Sequence, residues 1–258
     1  MNKFFKWEPK ESDIPFYNGT PVELTQKNWL LTFGALICSF LFSPIITLFV
    51  ENEQLAEWLA VILFPLVLFC GWRIAAGRQA YALFRKITLR DVGMVLVFLP
   101  VSLIGSFLLG FGVELFFPLS DHPGIAASAD ETRTAASSLV SELLINNGAH
   151  NLLQLFWEEL IVILPFIAVM QFFYQKAKFS RKKAMLVALL LSSILFGLFH
   201  LPTYEWNLVQ AIVVIGIGRI FDTLAYIVTR NLWVSFIVHF LYDMIIFLMV
   251  FLSVYYVK

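Results

Sequence analysis

The chain has 258 residues, of which 60% are hydrophobic and 14% charged, with a mean hydropathy of +0.81; a soluble fold has nowhere to bury that much apolar surface, so the composition points to a polytopic membrane protein. Eighteen Lys and Arg balance eighteen Asp and Glu, so net charge offers no argument for nucleic acid, and no nucleic-acid partner is expected. Cys38 and Cys70 both fall in apolar stretches, where a thiol acts as a small hydrophobe and implies neither a disulfide framework nor a redox compartment.

Residues 1–28 mix polar and charged side chains, with Lys3, Lys6, Glu8, Lys10, Glu11 and Asp13 ahead of any long apolar run. This reads as a short cytoplasmic tail rather than a cleavable signal peptide. A hydrocarbon core about 30 Å thick takes about 20 apolar residues per helical crossing. Such stretches occur at 29–50, 55–76, 92–117, 149–174, 184–201, 208–229 and 232–256. The expected fold is therefore all-α, a bundle of about seven membrane-spanning helices, with N-terminal helices within 29–117 and a C-terminal core over 148–258. Arg78, Arg85, Lys86 and Arg90 occupy one connection, and Lys176, Lys178, Arg181, Lys182 and Lys183 another. The alternate connections carry Glu51, Glu53 and Glu57, then Asp121, Asp130, Glu131 and Glu142 against Arg133. Lys and Arg prefer the cytoplasmic side, so the N-terminus is expected inside and the C-terminus outside. Residues 118–147 form one long extracytoplasmic loop in this reading, with Leu139–Ile145 as a short interfacial helix.

Ionisable residues inside apolar runs carry the functional signal, because a charge near the bilayer centre costs a few kcal/mol and is usually retained for a purpose. In the fourth stretch these are Glu158 and Glu159. Adjacent helical residues point about 100° apart, so the two are expected to have separate jobs. One faces a water-filled cavity as a general base and the other braces neighbouring helices, or both form a structural polar pair. His200 closes the fifth stretch just before Pro202 and gains weight only from its company. Arg219 and Asp222, at i and i+3 in the sixth, read most simply as a mutually neutralising ion pair. Gly216 and Gly218 beside them lack a preceding strand, so they suggest close helix packing rather than a nucleotide loop. His239 and Asp243 stack at i and i+4 in the seventh, either as a proton-handling or oxyanion-stabilising pair or as a contact that holds helices together.

Three patterns then occur in order: Glu158-Glu159, Phe196 to His200 as Phe-x-x-x-His, and His239 to Asp243 as His-x-x-x-Asp. Over roughly residues 150–245 the chain resembles the CPBP family of intramembrane proteases, also called the Abi or CAAX-protease family, whose members carry Glu-Glu-x-x-x-Arg, Phe-x-x-x-His and His-x-x-x-Asn/Asp on three helices. The stretch from Thr229 to His239 is similar to the family's approach to its third motif. One position departs, since Ile163 stands where the family has arginine; the second glutamate is then expected to be protonated or to find another donor such as Arg219. The resemblance implies a mechanism in which Glu158 and His200 polarise a water that attacks the scissile carbonyl. Glu159 would support the geometry and His239 with Asp243 would stabilise the oxyanion, Asp243 holding the imidazole tautomer or being protonated itself.

No cofactor is required in that reading. Zinc is the alternative within the same site, with Glu158, His200 and His239 as ligand types that it accepts. The expected partners are membrane lipid and a peptide or prenylated protein substrate at the membrane, and the expected home is a bacterial plasma membrane. A non-proteolytic membrane regulator or bacteriocin-immunity scaffold, acting on a membrane-protein partner, is the competing reading.

Overall fold

The computed structural model describes residues 5, 7–9, 12–120 and 148–256, with 43 and 250–256 as backbone only. Most of the expected long loop, including the interfacial helix at Leu139–Ile145, lies outside the described residues.

The described residues form helices and no strand, in the order α1 Gln26–Phe49, α2 Glu53–Ala76, α3 Leu89–Glu114, α4 Gly148–Gln171, α5 Arg181–Phe199, α6 Gly218–Thr229 and α7 Leu232–Tyr256. A 3-10 segment, Gly77–Leu83, prolongs α2, and π-helical segments Phe172–Lys176 and Gln210–Ile217 follow α4 and precede α6. Seven of these units are long and apolar enough to cross a membrane, and they coincide with the seven apolar stretches to within a few residues. Local chemistry marks the starts. Thr25 and Thr88 each close a reciprocal capping box, with Asn28 and Asp91, while Asn52 and Ser180 accept from Leu55 and Lys183 amides; these bonds satisfy amides that the first turn leaves orphaned. Pro44, Pro65, Pro100 and Pro165 interrupt α1 to α4 from within, which membrane helices tolerate when neighbours absorb the freed backbone groups.

The chain is an integral membrane protein, and its outer surface is what lipid contact requires: Leu30, Ile37, Leu48, Phe49, Ile74, Leu96, Phe107 and Leu108 are all exposed. Cys38 and Cys70 are free and exposed on the same surface. Buried side chains gather around α4, which packs against α2, α5 and α7 and is 61% buried across its apolar window, against 17% for α3. Association between such helices relies on close packing and interhelical polar bonds, since lipid is as apolar as the helix surface. Trp157 stacks on Phe64 at 4.0 Å between ring centroids and meets Phe40 edge-on at 5.6 Å, locking α4 to α2 and α1.

Arg85 meets Asn231, and Arg181 and Arg230 share Glu8, so the α2–α3 and α4–α5 connections and the α6–α7 turn lie with the N-terminal segment at one end of the bundle. There the N-terminal segment is more than a polar tail. Ile14, Phe16, Tyr17 and Leu24 are buried, and Phe16 meets Trp72 edge-on at 5.1 Å. The Glu8 carboxylate, fully buried, accepts from Arg181 at 2.7 Å and pairs with Arg230, while Asp13 accepts from Arg181 at 2.7 Å and from the Tyr17 hydroxyl at 2.6 Å. Burial opposes charge on both carboxylates, but the hydrogen bonds and guanidinium charges outweigh it and hold both below their ordinary values. Farther along, the Gln171 amide donates to the Leu24 carbonyl at 2.8 Å and accepts from the Trp29 indole at 2.9 Å. The Asn231 side chain satisfies both backbone groups of Arg85, joining the α2–α3 connection to the α6–α7 turn.

Candidate active site

Glu158 and Glu159 sit at mid-height on α4. As the helical geometry requires, they diverge. Glu159 is fully buried and turned into the bundle, whereas Glu158 lines a cavity of about 740 Å³. Gln154, one turn earlier, donates to Glu158 Oε1 at 3.1 Å and fixes its rotamer. The two glutamates nevertheless reach one imidazole from opposite sides. His239 Nδ1 lies 3.2 Å from Glu159 Oε1, and its Nε2 lies 3.9 Å from Glu158 Oε2 and 3.7 Å from Asp243 Oδ2. A carboxylate only accepts, so Nδ1 carries the proton donated to Glu159. The sequence reading had Asp243 orienting this ring. Glu159 does so instead, because α4 packs against the ring's Nδ1 edge while Asp243 stays beyond hydrogen-bonding range on the cavity side.

Arg219 was expected to neutralise Asp222 or to be the donor that Glu159 lacks at Ile163; it contacts both, with Glu159 the closer partner and Asp222 at 3.5 Å. Asp222 also accepts from the Ser102 hydroxyl at 2.6 Å. The guanidinium also lies over the Phe196 ring, 5.1 Å from its centroid, a favourable placement for a desolvated cation. The cation absent at Ile163, whose side chain is fully buried among apolar neighbours, is thus supplied to Glu159 from α6.

His200 is the C-cap of α5, and the crossing of α5 with the π-helical segment before α6 sets its depth. A side chain at Gly197 would fall on the Ala211 carbonyl, and one at Gly216 would come within 2.8 Å of the Ser193 carbonyl. The two backbones therefore touch, and small residues are obligatory. His200 Nδ1 sits 2.9 Å from the Phe196 carbonyl. A carbonyl cannot donate, so the proton is on Nδ1 and Nε2 is left as a bare acceptor. Glu158, His200, His239 and Asp243 all line the one cavity, with Arg219 and Asp222 in its wall. Only Glu159 among the expected residues stands behind the lining.

Tyr204, in the turn after α5, also lines this cavity and was not anticipated. Burial raises its phenol well above the ordinary value, and the charges of Asp243 and Glu158 push the same way, so it remains a neutral donor. Nothing in the sequence pattern marks it, because a tyrosine beside Pro202 reads as interfacial. For a metal, the donor set does not fit as placed: among the described residues no three His, Cys, Asp or Glu side chains are grouped to ligate one ion. Glu158, His200 and His239 share a cavity without converging as ligands.

Residues 141–245 match the family model described as type II CAAX prenyl endopeptidase Rce1-like. Over this region the chain is similar to the CAAX-protease family. That family is one of CAAX-type intramembrane proteases, and the matched residues contain every side chain described in this site except Ser102 of α3. No curated protein and no solved structure matches the chain.

Proposed function

We propose that this protein is an intramembrane endopeptidase that hydrolyses a peptide bond of a membrane-associated substrate with water activated by Glu158 and His200. One observation carries the reading: two imidazoles, each with Nδ1 held by an acceptor, face one cavity beside a carboxylate held by Gln154. His200 offers Nε2 as an acceptor for a proton of the attacking water, and Glu158 is the base that takes the proton. The other wall presents His239 Nε2 between Glu158 and Asp243, at distances that leave room for a bound group between them. With Nδ1–H held by Glu159, His239 acts as the imidazolium, its Nε2–H hydrogen-bonding the oxyanion as the tetrahedral intermediate forms; Glu158 then passes the proton it took to the leaving amine as the C–N bond breaks, and Asp243 and the Tyr204 hydroxyl complete the polar wall. Glu159, neutralised by Arg219, is a positioning residue that holds the imidazole. No step needs a metal, and the Ile163 departure leaves the water-activating pair intact.

The test is cleavage of quenched fluorescent peptides by the purified protein in lipid vesicles. Glu158→Gln and His200→Ala should each lower kcat by about 10²–10⁴-fold, the usual worth of a general base, with the fold retained. His239→Ala should cost about 10²–10³-fold, as for removal of an oxyanion donor. Full activity after chelator treatment is expected, and its loss with recovery on adding zinc would replace the metal-free mechanism. A cellular phenotype that survives Glu158→Gln, His200→Ala and His239→Ala would make the protein a non-proteolytic scaffold.

A further inference from the structure

The cavity has a direction. Its rim comes from the first turns of α2 and α4, with Gln54, Glu57 and Asn151, and from Thr203 after α5. These all belong to the end of the bundle opposite the basic connections. Glu158 lies ten residues below the start of α4, about 15 Å at 1.5 Å per residue.

Toward the other end the described residues are closely packed. From Leu160 to Ile167 every α4 residue is buried and apolar, and Met170 continues the run. Gln171 lies twelve positions beyond Glu159, about 18 Å along a packed apolar helix. Below that, the N-terminal segment closes the inner end through Glu8 and Asp13 bound to Arg181 and Arg230, and through Leu24 bound to Gln171. Basic residues mark the cytoplasmic face of a membrane protein.

We infer that the catalytic cavity is entered only from the extracytoplasmic face. The substrate is accordingly a peptide segment presented outside the membrane, in a secreted or membrane-anchored protein, and not the prenylated C-terminus of a cytosolic one. This rests on the proteolytic reading for the word substrate, but the sidedness itself does not.

Single cysteines placed in a Cys38→Ser, Cys70→Ser background test it with a membrane-impermeant maleimide. Gln54→Cys reports the rim, Ser106→Cys the cavity wall and Lys178→Cys the opposite end. Intact cells should label the first two, and inverted vesicles alone should label the third. Labelling of Ser106→Cys only in inverted vesicles, or equally from both sides, overturns the inference. A quenched peptide supplied on either side of sealed membranes separates the two claims. Cleavage confined to inverted vesicles refutes the sidedness, whereas no cleavage from either side refutes the proteolytic reading and leaves the labelling pattern to decide access.

Discussion

Arg219 offers the sharpest test of how the site is held. Arg219→Met removes the guanidinium while keeping an apolar side chain of similar reach, and leaves Glu159 fully buried beside only the His239 imidazole. Breaking a buried pair from one side costs about 3–5 kcal/mol, because the remaining charge is neither solvated nor compensated. Glu159→Gln alone strands the guanidinium with Asp222 at 3.5 Å, so a smaller loss of about 2–3 kcal/mol is expected for a charged hydrogen bond. The double variant removes both charges, and replacing a whole buried pair with neutral groups is often nearly free. Coupling of at least about 2 kcal/mol should therefore appear in a double-mutant cycle. The assay is reversible unfolding in detergent, followed by tryptophan fluorescence. Additive losses would mean that the two groups do not interact, and that Arg219 serves Asp222 alone.

The α5–α6 crossing predicts opposite outcomes for two glycines. Gly197→Ala drives a methyl into the Ala211 carbonyl and should destabilise by about 1–3 kcal/mol, while Gly93→Ala in α3, with nothing within 4 Å, should stabilise by about 0.5–1 kcal/mol; thermal unfolding of both measures the contrast. The inner closure should depend on pH with a definite sign. Glu8 and Asp13 have folded values below their ordinary 4.5 and 3.8, so their contribution is complete above about pH 4.5 and is lost as pH falls through the lower folded values. Amide exchange at Ile14 and Phe16 should be flat from pH 8 to 5, after correction for intrinsic rates, and lose protection only under stronger acid; loss between pH 7 and 5 would contradict it. Glu8→Gln should weaken the same protection at neutral pH by about 3 kcal/mol or more, since two guanidinium groups lose their buried counter-charge.

The seven crossings and the helical class follow from the order of residues alone, because a bilayer imposes a length and a polarity on each segment regardless of its neighbours. The separation of Glu158 from Glu159 is likewise a property of one helix, and it holds. Glu158, His200, His239 and Asp243, drawn from three helices, line one cavity. What residue order could not decide is which partner each polar group takes. Arg219 is three residues from Asp222 but sixty from Glu159, and only the packing of α6 against its neighbours makes the distant partner the nearer one. His239 turns to Glu159 rather than Asp243 for the same reason, and Glu8, in a stretch that reads as solvated tail, is drawn between Arg181 and Arg230. Hydropathy and helical spacing are local along the chain, whereas the energy of a buried charge depends on whichever groups tertiary packing brings within a few ångströms.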